Sequence, residues 1–303
     1  MREKIQAAKP KLITYHCQPH LLNLLAKDLQ EMQQSSVNKI IAVLKYFRNK
    51  HAAIAELSSN NLNKPPLPCE TRWNTLRDSL QYFCTHWASL VRIIETLENE
   101  QNPERRNLEN VQLRRAANEL FQVFDVIAEA LNMLQSDSST IATAKECWIS
   151  VVDKISGMNN EQILAAANKR KSEALNNDCF LAANLVDNRY KGKKQLFSAA
   201  DFLVNEDGSI QEYVTQFIAE TGPYGNKSIK SDTDPTTYWK AGRRFAFNPS
   251  LCDIALRLTS AVCSSAGLER QFSTLKLTYG SLRTNLALEK AGKIAFCYRT
   301  LNE

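Results

Sequence analysis

The chain has 303 residues, 44% hydrophobic and 23% charged, the proportions of a globular protein with one large domain or two smaller ones. Met1-Arg2-Glu3-Lys4 leads into no apolar run of a secretory signal, no later run nears the ~18 apolar residues of a membrane helix, and eight cysteines without a Cys-x-x-Cys pair suit a reducing compartment. The formal charge of +6 is concentrated in residues 236–303, which hold ten bases against four acids; a polyanion-binding surface needs such an excess, and a solvated face can also carry it.

In chain order the periodicity is helical. Lys11–Tyr15 is a short strand candidate. Leu21, Leu24, Leu25, Leu29 and Met32 make one amphipathic stripe, and Val37, Ile40, Ile41, Leu44 and Phe47 make another. Residues 58–68 break the pattern with Ser-Ser-Asn-Asn and Pro65-Pro66-Leu67-Pro68. A long helix follows through Leu76, Leu80, Phe83, Trp87, Leu90, Ile94 and Leu97, with the spacing of a bundle helix. Later stripes run from Leu113 to Leu134 and from Cys147 to Ile155, with shorter ones at Ile163–Ala167, Ile210–Ile218 and Leu251–Leu258. Asn205–Gly208 and Glu220–Pro235 are rich in turn formers, and a last helix is predicted from about Leu286 to Leu301.

The most specific stretch is Ser264-Ser265-Ala266-Gly267-Leu268-Glu269-Arg270-Gln271-Phe272-Ser273. Either serine is able to cap a helix on which Leu268, Phe272 and Leu275 recur at helical spacing. Glu269 lies at the edge of that stripe. There a carboxylate either reaches a metal or substrate in a cleft, or is a surface acid paired with a nearby base.

Four segments together resemble the hAT-superfamily transposases, in the family's order and over nearly the whole chain. They are Cys17-Gln18-Pro19-His20-Leu21-Leu22-Asn23-Leu24-Leu25, Glu70-Thr71-Arg72-Trp73-Asn74-Thr75, Leu185-Val186-Asp187-Asn188-Arg189-Tyr190-Lys191 and the Ser264–Ser273 stretch. Asn188 stands where the family usually has proline. The resemblance implies a mainly α fold with a small α/β part, a partial ribonuclease-H-like core interrupted by an all-helical insertion. Residues 1–74 would be the first half of that core, 75–235 the insertion, and 236–303 the returning helices with the dimerisation region.

The resemblance also implies roles. The family cuts and joins DNA with divalent metal held by three carboxylates. Glu269 matches the third. The two aspartates are expected ahead of Cys17, where this sequence has sixteen residues and no Asp. The implied state is therefore a chain that does not transpose and holds no cofactor, with Mg²⁺ entering only if the missing aspartates are supplied. The alternative is that this is the C-terminal part of a longer active transposase. A further alternative is a protein-interaction module that never touches DNA.

For DNA contact the candidates are Arg72, Trp73, Arg189, Lys191, Arg270 and Lys276. Trp73 beside Arg72 suits stacking on a flipped base, or a core Trp at a helix start. The Arg189–Lys194 run suits phosphate or a solvated loop. Cys17 and His20 are either a buried, packed pair or half of a zinc site that lacks a second spaced pair. Leu268, Phe272, Leu275, Ile294 and Phe296 are the dimerisation candidates. The expected partners are a second copy and DNA, with no membrane or small-molecule substrate, and the expected location is the nucleus.

Overall fold

Asparagine and aspartate set where several helices begin. Asn102, Asn160, Asp234 and Asn248 each accept a backbone N–H from three residues on, and in three of the four cases proline follows immediately. The computed structural model describes residues 7–8, 12–69, 74–192, 196–225, 233–267, 269–270, 272 and 293. Among them the chain is mainly helical, with no strand. The helices are α1 (Gln18–Met32), α2 (Gln34–Asn49), α3 (His51–Ser59), α4 (Thr75–Leu97), α5 (Pro103–Glu109), α6 (Val111–Leu134) and α7 (Ile141–Ser156). They continue as α8 (Glu161–Ala174), α9 (Cys179–Val186), α10 (Leu196–Glu206), α11 (Gln211–Ile218), α12 (Pro235–Gly242) and α13 (Pro249–Thr259).

The contacts divide the chain into two compact units. One comprises residues 19–133 and 145–176. In it α2 packs on α3, α4 and α5, and Val37, Ile40, Leu44 and Phe47 on α2 are buried, as are Leu80 and Phe83 on α4. Helices α4 and α6 run antiparallel: Arg77 pairs with Asp125 at 2.6 Å, and Arg114 lies 4.0 Å from the Trp87 ring centroid. The proline-rich loop is tied down through its carbonyls, with Arg48 donating to Pro65 and the buried Ser79 to Pro66. Arg170 on α8 grips Asp28 on α1 with two hydrogen bonds of 2.6 and 2.8 Å.

The other unit comprises residues 1–18, 134–144 and 177–303. Its centre is α9, buried along nearly its whole length and packed on α10 and α13. Around it Phe217, Tyr224, Tyr238, Trp239 and Phe247 interlock with ring centroids 4.5–5.7 Å apart. Trp239 Nε1 donates to the Val186 carbonyl at 2.7 Å, a buried N–H satisfying a helix-end acceptor. Gly192 closes the turn after α9 at φ +56°, where a Cβ would stand 3.0 Å from Leu185 Cα.

Two local expectations change, and a third lies almost wholly outside the described residues. Lys11 lies outside the described residues, and residues 12–17 form no strand. The one bridge among the described residues joins Thr140 to Val262. The 12–18 segment meets that bridge through the Tyr15 hydroxyl on the Val262 carbonyl and the Gln18 N–H on the Cys263 carbonyl. The spacing does not single out α3, α5, α9, α10 or α12 as separate helices. α12 begins at Pro235, the end of the expected turn-rich segment, because Asp234 caps it and Pro suits a first helical position. The predicted helix at 286–301 lies outside the described residues apart from Lys293, which is helical.

Candidate functional site

The residues of the Ser264–Ser273 stretch that are described show how the helix start is built. Ser264 Oγ accepts the Ala266 N–H at 3.0 Å, and Glu269 N–H bonds to the Ser265 carbonyl at 3.0 Å, so a helical turn is closed. Ser265 Oγ lies 2.7 Å from Glu269 Oε1 and 3.3 Å from Cys17 Sγ. A hydroxyl has one proton. Ser265 Oγ donates that proton to either Glu269 Oε1 or Cys17 Sγ. The Ser265 N–H also points at Cys17 Sγ, 3.4 Å away.

Around this turn, Arg270 pairs with Asp137 in the loop between α6 and α7. The adjoining clasp is completed by Ile141 N–H on the Ala261 carbonyl and Cys263 N–H on the Ser139 carbonyl. Tyr15, edge-on to Phe180 at 5.5 Å, has its hydroxyl pushed up to about 12, first by burial and then by the nearby Cys179 and Cys263. Phe272 is 66% exposed, an aromatic ring directed at solvent one turn beyond Glu269.

Residues 211–301 match the hAT family C-terminal dimerisation region. The matched stretch contains Ser265, Glu269, Arg270 and Phe272. None of the curated proteins compared matches the chain.

The other expected hAT site residues fall into distinct environments. Arg189 is closed onto Asp187 by a bidentate contact of 2.9 and 2.7 Å, and Asp187 also accepts the Arg189 N–H at 3.0 Å. The Asp187 side chain is buried, so this ion pair pins the turn after α9. Lys191, at φ 50°, pairs with Glu220. His20 is exposed, which corrects the expectation of a buried pair: α1 buries Leu21, Leu22, Leu25 and Leu29, and His20 falls outside that stripe. Cys17 is half-buried. Arg72, Trp73, Leu268, Leu275, Lys276, Ile294 and Phe296 lie outside the described residues.

Glu269 is exposed and engaged by a hydroxyl, and the nearby Asp137 is engaged by a guanidinium. Among the described residues no group of three or more His, Cys, Asp or Glu comes together as a metal site. This donor set does not fit the three-carboxylate Mg²⁺ site that the resemblance implies. No helix among the described residues is long and apolar enough to cross a membrane. Sequence reasoning missed Asp137 and Tyr15 as neighbours of the Glu269 turn. Neither carries a local signal, because the chain brings them there from far away in sequence.

Proposed function

We propose that this protein is a hAT transposase derivative that associates with itself through its C-terminal region, binds DNA and performs no strand cleavage. The match of residues 211–301 to the dimerisation region carries the reading, and the exposed Phe272 ring supplies an apolar anchor within it. The basic excess of residues 236–303 supports DNA as the second partner. The Ser265–Glu269 and Arg270–Asp137 pairings support a structural role for the Glu-Arg dipeptide, fastening the helix start to Cys17 and the α6–α7 loop. The division into a ribonuclease-H-like first part at 1–74, a helical insertion at 75–235 and a returning part at 236–303, and a nuclear location, belong to the same proposal.

Sedimentation velocity over a range of protein concentrations tests self-association, with a reversible dimer as the expected result. A species that stays monomeric at the highest soluble concentration would refute it. Salt-sensitive, sequence-indifferent binding to duplex and single-stranded oligonucleotides is expected alongside, with no nicking of supercoiled plasmid in Mg²⁺ or Mn²⁺. Metal-dependent nicking that disappears in Glu269→Gln would overturn the non-catalytic part and leave a cleaving transposase.

A further inference from the structure

The end of α12 carries a cluster that the Glu269 turn does not use. Backbone angles stay right-handed through Gly242 (φ −52°, ψ −35°) and Arg243 (φ −57°, ψ −29°), and residues 243–245 continue as a 3₁₀ turn. Lys240, Arg243 and Arg244 therefore stand at positions i, i+3 and i+4 of one helical run and share a face. All three are exposed. Arg243 is held by Asp253 on α13, whereas Lys240 and Arg244 have no ion-pair or hydrogen-bond partner among the described residues. Like charges spaced this way repel each other unless an anion lies between them.

The next residue adds a second kind of group. Phe245 is 41% exposed at the tip of the turn, followed by Ala246 in the left-handed region (φ 62°, ψ 27°). That conformation normally falls to glycine or asparagine, so an alanine there is held by its surroundings. The surroundings are rigid. Phe247 N–H closes back onto the Gly242 carbonyl at 3.1 Å, and the Phe247 ring is buried among Tyr224, Tyr238 and Trp239. A Cβ on Gly242 would meet that ring at 2.2 Å, so no larger residue fits beneath the turn. The turn therefore presents two exposed cations, unpaired among the described residues, and an exposed aromatic residue next in the chain, on a preformed support.

We propose that Lys240, Arg244 and Phe245 form a docking point for a single strand of DNA. The two cations contact successive phosphates, and the Phe245 ring stacks on an unpaired base. Cations alone would suit any polyanion, but cations followed at once in the chain by an exposed ring supply the two groups by which unpaired bases are held without regard to sequence. Arg243, fixed by Asp253, flanks the strand path. The proposal rests on the DNA-binding reading above and names where the strand sits.

The test measures binding of a labelled oligothymidylate and of a matched duplex to the full chain across a salt series. The Lys240→Ala/Arg244→Ala double variant is expected to flatten the dependence of log K on log[salt] for the single strand by about 1.4, two phosphate contacts' worth. Phe245→Ala is expected to weaken the oligothymidylate about tenfold and leave the duplex unchanged. Lys154→Ala, which removes a cation of the other unit paired with Glu129, should change neither. All these positions are exposed, so thermal melts should be unaltered; a variant that fails to melt cooperatively is replaced by Arg244→Gln or Phe245→Ser at the same position. Wild-type protein that binds neither probe at low salt would overturn the DNA-binding reading together with this site. Wild-type binding that survives both variants would overturn the site alone. Displacement of the oligothymidylate by polyglutamate at equal charge would overturn it in favour of an acidic protein partner.

Discussion

The dimer reading makes its sharpest prediction at Phe272. A phenylalanine offers about 200 Å² of surface, and with 66% of the residue exposed about 130 Å² is left for a partner to cover. At ~25 cal/mol per Å² that area is worth about 3 kcal/mol per protomer. A two-fold interface uses the same patch twice, so the ceiling is about 6 kcal/mol. Ordering and desolvation offset part of this, and truncation of an aromatic anchor usually costs 2 kcal/mol or more. Phe272→Ser should therefore weaken the dimer about 100-fold or more, read by sedimentation equilibrium. The protomer loses little, because only a third of the residue is covered within it, and its urea midpoint should shift only slightly. Met133→Ser removes an apolar side chain that is also half exposed but belongs to the other unit, and should leave the dimer intact. A Phe272→Ser protein that dimerises as tightly as the parent would refute the assignment of this ring to the interface.

Three further outcomes follow from the packing. In a right-handed helical position alanine is normally favoured over glycine by up to ~1 kcal/mol, yet Gly242→Ala should destabilise by about 1–3 kcal/mol because its methyl group would meet Phe247; an unchanged urea midpoint would contradict the clash. Arg170→Ala should cost about 1–2 kcal/mol by removing the two-pronged contact to Asp28, an effect that shrinks in high salt, and its absence at low salt would make that pair ornamental. The Tyr15 hydroxyl ionises late: its folded value, about 12, lies above the ordinary 10, so its stabilisation is complete below pH 10 and lost as pH rises toward 12. A tyrosinate absorbance titration should show one late-titrating group fewer in Tyr15→Phe, and an ordinary titration of Tyr15 would contradict its burial.

Local spacing made the helices of this protein legible, because an amphipathic stripe is written into a dozen neighbouring residues. Leu76 to Leu97 and Leu113 to Leu134 read directly as α4 and α6. Short elements were harder to see. α9 is buried on all sides and shows no polar face, while α12 hid behind Asp234-Pro235, a pair that serves a turn as readily as a helix start. The Ser264–Phe272 stretch announced its importance through its pattern, and the serine cap could be anticipated from chemistry alone. Its partners could not. Asp137 reaches Arg270 and Cys17 reaches Ser265 only after the intervening helices have packed. Burial likewise turned Arg189 from a free cation into one closed on Asp187, and left His20 in solvent although its motif suggested a core. Helical periodicity is a property of adjacent residues, whereas charge pairing and exposure depend on which distant side chains share a surface. That second kind of information arises only when the chain closes on itself.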